Sequence, residues 1–320
     1  MLESGTNKAK KRNLLRRVRR QRLKYITILP SLITLLNGIC GFAAIGFASK
    51  GFSAGLVNFS FHRIELPYFA IAGYMIFCAM IADMLDGRVA RMSHTTSSFG
   101  GQLDSLCDIV SFGVAPAFLM LKILEYKLTV LVEPTPVFSD FLSRFIWLTA
   151  AIYIACAAIR LARFNVENEE DETEHMSFVG LPVPAAAGVL ASLVVFYEDM
   201  LPSLGTGSAV YNIGESLILY SLPFVAIGAA LLMISRIPYP HLINQYFKGR
   251  KPVTHLFWSV AIIGLIYLCG LQSALVISFC GFSLSGFVRW FYYRIILKAP
   301  RQTYTGLSVK LAETTGSPDD

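Results

Sequence analysis

Long apolar stretches, separated by short polar segments, make up most of the chain. Eight of them approach the roughly 20 residues that an α-helix needs to cross a bilayer. Each is a continuous apolar run without the alternation of a barrel strand, so helices are predicted. The expected fold is therefore an all-α, polytopic transmembrane helical bundle. The predicted spans are residues 27–48, 67–86, 101–123, 143–163, 183–198, 216–235, 254–271 and 273–296.

The composition also indicates a membrane protein. Of the 320 residues, 54% are hydrophobic and only 15% are charged, whereas soluble domains carry roughly 25% charged residues. The six cysteines lie in apolar runs without a CxxC pair, which favours packing roles over disulfides or a zinc site. The first apolar run is too long for a cleavable signal peptide, and none is expected. Pro116 lies inside the third predicted span and is expected to kink it.

The distribution of Lys and Arg predicts the orientation of the spans. With the N-terminus in the cytoplasm, 23 of the 28 Lys and Arg residues fall on the cytoplasmic side and five on the outer side. Cytoplasmic segments of membrane proteins are enriched in these residues. We therefore expect both termini, and the link between the second and third spans, to lie in the cytoplasm.

Four segments are expected along the chain. Residues 1–26 form a basic cytoplasmic or juxtamembrane arm, 27–235 a transmembrane core of six spans, 236–297 a loop with an additional hairpin, and 298–320 a cytoplasmic tail. The arm suits contact with anionic lipid. It lacks the interleaved aromatic residues that would favour nucleic acid, so no nucleic-acid partner is expected. The acidic segment 167–174 is expected to be a solvated loop.

Four aspartates flank the polar link between the second and third spans. Asp83 and Asp86 are three residues apart, and Asp104 and Asp108 are four apart, so each pair shares one helix face. Because the link is short, the two pairs are expected to face each other. Close carboxylates repel unless cations lie between them, and hard divalent cations prefer oxygen ligands. The pattern predicts two divalent metals of the kind that support in-line attack at phosphorus.

The residues around the aspartates suit a phosphate ligand. Gly87 and Gly100 leave room for a ligand to approach the backbone. Ala90 adds only a methyl group to the same surface. Arg91 offers the planar hydrogen-bond donors of its guanidinium for phosphate oxygens. A single aspartate in a span could serve helix packing or a proton relay instead, but four at these spacings favour a functional site.

Eight positions of this stretch spell D-x2-D-G-x2-A-R-x8-G-x3-D-x3-D. In this the chain resembles the CDP-alcohol phosphotransferase family. The resemblance implies an integral membrane enzyme that transfers a phosphatidyl-type group from a CDP-linked lipid to an alcohol and releases CMP. It also implies two divalent cations, Mg²⁺ or Mn²⁺, and a homodimer.

The resemblance assigns roles to individual residues. Asp83, Asp86 and Asp104 correspond to metal ligands, and Asp108 corresponds to a ligand that is also the catalytic base. The stretch "PSLITLLNGICGF" is similar to the first helix of the family. The residues implied to bind CDP are Asn37, Gly87, Ala90, Arg91 and Gly100.

Two further stretches, "DSLCDIVSFGVAPAFL" and Arg160 to Gly188, resemble the phosphatidylserine synthase branch of the family. This branch implies CDP-diacylglycerol and L-serine as substrates, at the cytoplasmic face of the cytoplasmic membrane. Arg160, Arg163 and Asn165 are then candidates to bind the carboxylate of serine or a lipid phosphate. For the two arginines the alternative is a role as topology anchors at the end of a span.

Two alternatives remain open at this point. The core motif does not separate serine from glycerol-3-phosphate, inositol phosphate or choline as the acceptor. A cation-coupled membrane transporter could also hold ions with aspartates, although transporters usually show paired repeats with broken helices. We detect no repeat, and we expect the other six spans to lack Asp and Glu in their interiors.

Overall fold

The computed structural model describes residues 31–52, 56–59, 64–93, 98–131, 136–170, 180–235, 237, 239 and 270–292. Within these ranges seven helices are long and apolar enough to cross a membrane. The prediction of a polytopic helical bundle is confirmed. The predicted span 254–271 lies outside the described residues apart from its last two, and so do the basic arm and the C-terminal tail.

The elements follow one another with short connections. The helices are α1 (Ser31–Ser49), α2 (Tyr68–Ser93), α3 (Ser98–Asp108), α4 (Ala115–Leu131), α5 (Pro136–Glu170), α6 (Val183–Val195), α7 (Ala209–Ile234) and α8 (Leu271–Phe291). Two π-helical segments, Ile109–Val114 and Phe196–Met200, join α3 to α4 and extend α6, and 3₁₀ turns occur at Lys50–Phe52 and Leu201–Leu204. Between α1 and α2 a small antiparallel hairpin pairs β1 (Leu56–Phe59) with β2 (Ile64–Pro67).

The described helices reach beyond several predicted spans. The fifth span continues through its π segment to Leu204, and the sixth begins at Ala209. Glu198, Asp199 and Glu215 therefore lie within helices that are long and apolar enough to cross a membrane. The predicted limits of these two spans were too narrow: their interiors lack Asp and Glu as expected, and the three acidic residues lie at or beyond the predicted ends.

Each of these acidic side chains has a partner on another element, which offsets the cost of taking it out of water. The contacts are Glu198 Oε1 to Lys127 Nζ at 3.3 Å, Tyr74 Oη donating to Asp199 Oδ2 at 2.6 Å, and Tyr197 Oη donating to Glu215 Oε1 at 2.8 Å. Because the partners are far away in sequence, the hydropathy pattern gives no indication of these pairs.

Pro116 follows the first π segment. It has no N–H to donate to the carbonyl of Phe112, four residues earlier. The hydroxyl of Tyr153 on α5, a fully buried side chain, lies 3.3 Å from that carbonyl oxygen as a donor. The chain is thus π-helical immediately before Pro116, and the carbonyl that lacks the proline as a donor accepts from the neighbouring helix.

Helix α6 lies at the centre of the bundle and packs against α2, α4, α7 and α8. It carries three consecutive buried alanines, Ala185 to Ala187, followed by Gly188. Small residues let neighbouring helices approach closely. A Cβ atom at Gly188 would overlap the ring of Phe279, so this glycine sets the closeness of α8 to α6.

Helix α8 is joined to the core at both ends. Near its start, Gln272 Nε2 donates to Asp199 Oδ2 at 2.7 Å. Near its end, Gly286 packs against the ring of Tyr239, whose hydroxyl donates to the Ser283 carbonyl at 3.0 Å. The five described cysteines, at positions 40, 78, 107, 156 and 280, are unpaired, in agreement with the sequence.

Candidate active site

Three of the predicted aspartates converge between the C-terminal half of α2 and the C-terminal half of α3. Asp83 lies on α2, while Asp104 and Asp108 lie one turn apart on α3. One carboxylate oxygen from each of the three lies within 4.8 Å of the others. The side chain of Asp108 is buried, with 8% exposure. The aspartates of α2 and α3 therefore approach each other as predicted, for three of the four carboxylates.

The fourth aspartate, Asp86, lies beside this triplet rather than in it. Its residue is 5% exposed, and Thr34 on α1 lies within hydrogen-bond reach of its carboxylate. Among the described residues, Asp86 Oδ2 and Asp104 Oδ1 are buried without a hydrogen-bond donor. Asp86 thus faces both α1 and the edge of the carboxylate cluster.

These observations fit divalent cations. Every donor atom in the cluster is a carboxylate oxygen, the ligand type that Mg²⁺ and similar hard cations prefer. Buried carboxylates without donors are costly unless a positive charge compensates them. Four aspartates, two with an orphaned buried oxygen, provide the place for such a charge.

Asn37 joins α1 to the cluster. Its Nδ2 donates to Asp108 Oδ1 at 2.8 Å, and its side chain is fully buried. The backbone carbonyl of Asn37 accepts a hydrogen bond from Ser111 Oγ at 2.9 Å. Gly38 and Gly41 permit this approach, since Cβ atoms there would lie 3.0 Å from Cys107 Sγ and 2.6 Å from the Cα of Ser111.

Gly87, the first glycine of the motif, has a different environment from Gly38 and Gly41. A Cβ atom at Gly87 would meet no atom of the described chain within 4 Å. Packing therefore does not require glycine at this position, whereas it does at Gly41. Gly100 lies in the first turn of α3. The side chains of Ala90 and Arg91 lie outside what the structure describes, so their predicted roles stay predictions.

The α5 candidates do not share one helix face. Asn165 Nδ2 donates to Ser105 Oγ at 2.8 Å, so Asn165 faces α3. At 3.6 residues per turn, Arg160 lies about 140° and Arg163 about 160° around α5 from Asn165. Arg160 is buried, with its guanidinium carbon 6.0 Å from the centre of the Phe164 ring, and Arg163 is half-buried.

Ser105 was missed by the sequence reasoning. It lies between two of the aspartates, in "DSLCD", and its hydroxyl contacts both Asn165 and the carbonyl of Gly101. Its position beside the aspartates was visible in the sequence. Its partner was not, because that depends on how α5 packs against α3.

Comparison with known proteins agrees with this geometry. The sequence profile of the CDP-alcohol phosphatidyltransferase family matches residues 27–234. The family uses divalent metals, as the aspartate cluster also indicates. Membership in a transferase family argues against the cation-coupled transporter considered above.

Three similar proteins, all named CDP-diacylglycerol–serine O-phosphatidyltransferase, come from distant organisms. The protein of Helicobacter pylori is 32% identical over 270 residues, which cover 84% of this chain and 93% of that protein. That of Bacillus subtilis is 30% identical over 214 residues, covering 67% and 90%. That of Methanocaldococcus jannaschii is 35% identical over 173 residues, covering 54% and 65%. On the profile match and on these similarities, the chain belongs to the CDP-alcohol phosphatidyltransferase family.

Proposed function

We propose that this protein transfers the phosphatidyl group of CDP-diacylglycerol to the hydroxyl of L-serine, giving phosphatidylserine and CMP. The observation that carries the proposal is the convergence of Asp83, Asp104 and Asp108 within 4.8 Å at the ends of two spanning helices. The names of the similar proteins favour serine over glycerol-3-phosphate, inositol phosphate or choline as the acceptor.

The aspartates provide the metal site of the proposed enzyme. Asp83, Asp86, Asp104 and Asp108 would hold two divalent cations, Mg²⁺ or Mn²⁺. When bound, such cations neutralise the pyrophosphate, polarise the phosphorus and stabilise the departing CMP. The orphaned oxygens of Asp86 and Asp104 are available for this role among the described residues.

Asp108 serves as the base in this proposal. The serine oxygen attacks the phosphorus that carries diacylglycerol, and the bond from that phosphorus to the oxygen bridging it to CMP breaks. The proton of the serine hydroxyl passes to the Asp108 carboxylate, and CMP leaves with the bridging oxygen. A base within hydrogen-bond reach typically contributes about 10²–10⁴-fold to the rate.

The nucleotide is proposed to lie against the N-terminal end of α3 and the C-terminal end of α2. Gly87 and Gly100 present no side chain there, and Ala90 and Arg91 lie on the same stretch. The open space beside Gly87 supports this placement, because no described atom fills it. Asn37 lies at the other end of α3, where its amide donates to Asp108.

Arg160 and Arg163 are the proposed anion-binding residues. They lie about 60° apart on α5, and Arg160 is nearly completely buried, where a cation is normally retained for a function. Their ligand is the carboxylate of serine or the lipid phosphate. Asn165 is assigned instead to the contact with Ser105, since its amide is engaged there.

The topology and assembly remain part of the proposal. The bias of Lys and Arg supports an orientation with both termini in the cytoplasm, in the cytoplasmic membrane, with the aspartates facing the cytoplasm. The resemblance to the family supports a homodimer. We also retain the division into the arm 1–26, the core 27–235, the hairpin region 236–297 and the tail 298–320.

The proposed chemistry can be tested with the purified protein in detergent. CDP-diacylglycerol, L-serine and Mg²⁺ should give CMP and phosphatidylserine in equal amounts. Asp108→Asn should abolish both products, while Asp140→Asn, at an exposed position of α5, should leave them unchanged. CMP release by Asp108→Asn at the wild-type rate would contradict the role of Asp108.

A further inference from the structure

The hydrogen bond between Asn37 and Asp108 is a buried contact between two polar side chains of the site. Asn37 is 0% exposed and Asp108 is 8% exposed. The distance from Asn37 Nδ2 to Asp108 Oδ1 is 2.8 Å. A hydrogen bond to a charged group in such surroundings is among the stronger ones in proteins.

Asn37 is itself held in place through its backbone. Ser111 Oγ donates to the Asn37 carbonyl, and Ser111 lies three residues after Asp108. Gly41 lets α1 lie against Ser111 at a distance that any larger residue would exclude. The side chain and the backbone of Asn37 therefore contact the same segment, at two points less than one turn apart.

This arrangement fixes the rotation of the Asp108 carboxylate. With Oδ1 accepting from Asn37, Oδ2 is the oxygen that remains for the proton of the acceptor. Without the amide, the carboxylate could turn about its Cβ–Cγ bond, and a reacting group misplaced by about 1 Å can lose about 10²-fold in rate.

We propose that Asn37 is a positioning residue for Asp108, and that it acts on the transfer step by presenting one chosen oxygen of the base. The inference rests on the proposed function, in which Asp108 accepts the proton of the acceptor. It differs from the nucleotide contact implied by the family resemblance, because a nucleotide contact would act on the affinity for CDP.

Asn37→Ala separates the two roles. We expect kcat to fall about 10- to 100-fold, with the KM values for CDP-diacylglycerol and serine, and the Kd for CDP measured by calorimetry with Mg²⁺, within about twofold of the wild type. Asn212→Ala, on the exposed face of α7, is the control and should change none of these quantities. A higher Kd for CDP with a normal kcat would overturn the proposal in favour of a nucleotide contact.

Exchanging the side chains of Asn37 and Asp108 distinguishes a role in positioning the base from an effect on stability alone. Asn37→Asp places two carboxylates in contact and should lower both the melting temperature and kcat. Adding Asp108→Asn restores an amide–carboxylate pair, so the melting temperature should recover while activity stays at the level of Asp108→Asn alone. Recovery of activity together with stability would overturn the proposal, since the position of the base would then be immaterial.

The proposed function and the role of Asn37 can fail separately. Absence of CMP and phosphatidylserine from the wild-type reaction would remove the proposed function, and full activity of Asp108→Asn would remove the base; either result removes the inference as well. An inactive Asp108→Asn beside a fully active Asn37→Ala would remove the inference alone.

Discussion

Ser105 and Asn165 are joined through both polar atoms of the Asn165 amide. Asn165 Nδ2 lies 2.8 Å from Ser105 Oγ as a donor, and the same hydroxyl lies 3.2 Å from Asn165 Oδ1. Ser105 belongs to the helix of Asp104 and Asp108, and Asn165 belongs to the helix of the two candidate arginines. The contact therefore sets the rotation of α5 relative to the helix that carries the proposed base.

A double-mutant cycle tests this contact. Ser105→Ala and Asn165→Ala should each cost about 0.5–1.5 kcal/mol of stability, and the double variant should cost little more than either, because both remove the same contact. Thermal denaturation in detergent measures the effect. Ser203→Ala, which removes an exposed hydroxyl bonded within its own turn, is the control. Additive effects of the two substitutions would show that the side chains do not interact.

Two glycines of α1 provide a matched pair of substitutions. Gly41→Ala should destabilise the protein and reduce activity, because the new methyl group would lie 2.6 Å from the Cα of Ser111. Gly46→Ala, on the same helix, meets no described atom within 4 Å and should be neutral or stabilising by up to about 1 kcal/mol. Melting temperatures and CMP release measure both. Equal effects of the two substitutions would contradict the close approach of α1 to the π segment.

Gly87→Ala is expected to separate stability from ligand binding. No described atom lies within 4 Å of the new methyl group, so the melting temperature should stay the same or rise slightly. The methyl group would occupy space proposed for the nucleotide, so the Kd for CDP should rise about tenfold or more, a loss of roughly 1.4 kcal/mol. A normal Kd for CDP would remove Gly87 from the nucleotide site.

Divalent cations are expected to bind without substrate. Titration with Mn²⁺, followed by electron paramagnetic resonance, should show about two bound ions per chain. Asp83→Asn and Asp104→Asn should each weaken binding, because each removes a charged ligand from the triplet. Asp140→Asn is the matched control at an exposed position. Turnover at the full rate in excess EDTA would contradict the metal requirement.

The sequence predicted those parts of the site that depend on spacing along a single helix. Asp104 and Asp108 are one turn apart in any helix, and the short link after Asp86 brings the two pairs together. The helical class followed equally directly from the apolar runs, because a backbone in lipid must satisfy its own hydrogen bonds.

The remaining parts depend on how helices pack against one another, which spacing does not determine. The hydrogen bond that Asn37 donates to Asp108 depends on how closely Gly38 and Gly41 pack against the third span. The separation of Asn165 from the arginines depends on which face of α5 meets α3. The limits of the fifth span were underestimated because Glu198 and Asp199 look like loop residues until their partners are known.

Transfer to serine is tested most directly by a competition among acceptors. The purified protein, with CDP-diacylglycerol and Mg²⁺, receives an equimolar mixture of L-serine, glycerol-3-phosphate, inositol phosphate and choline, and the lipid products are identified by mass spectrometry. We expect phosphatidylserine to be the dominant product, formed in a one-to-one ratio with CMP and absent from the reaction of Asp108→Asn. A different phospholipid as the main product, or phosphatidylserine formed at an unchanged rate by Asp108→Asn, would contradict it.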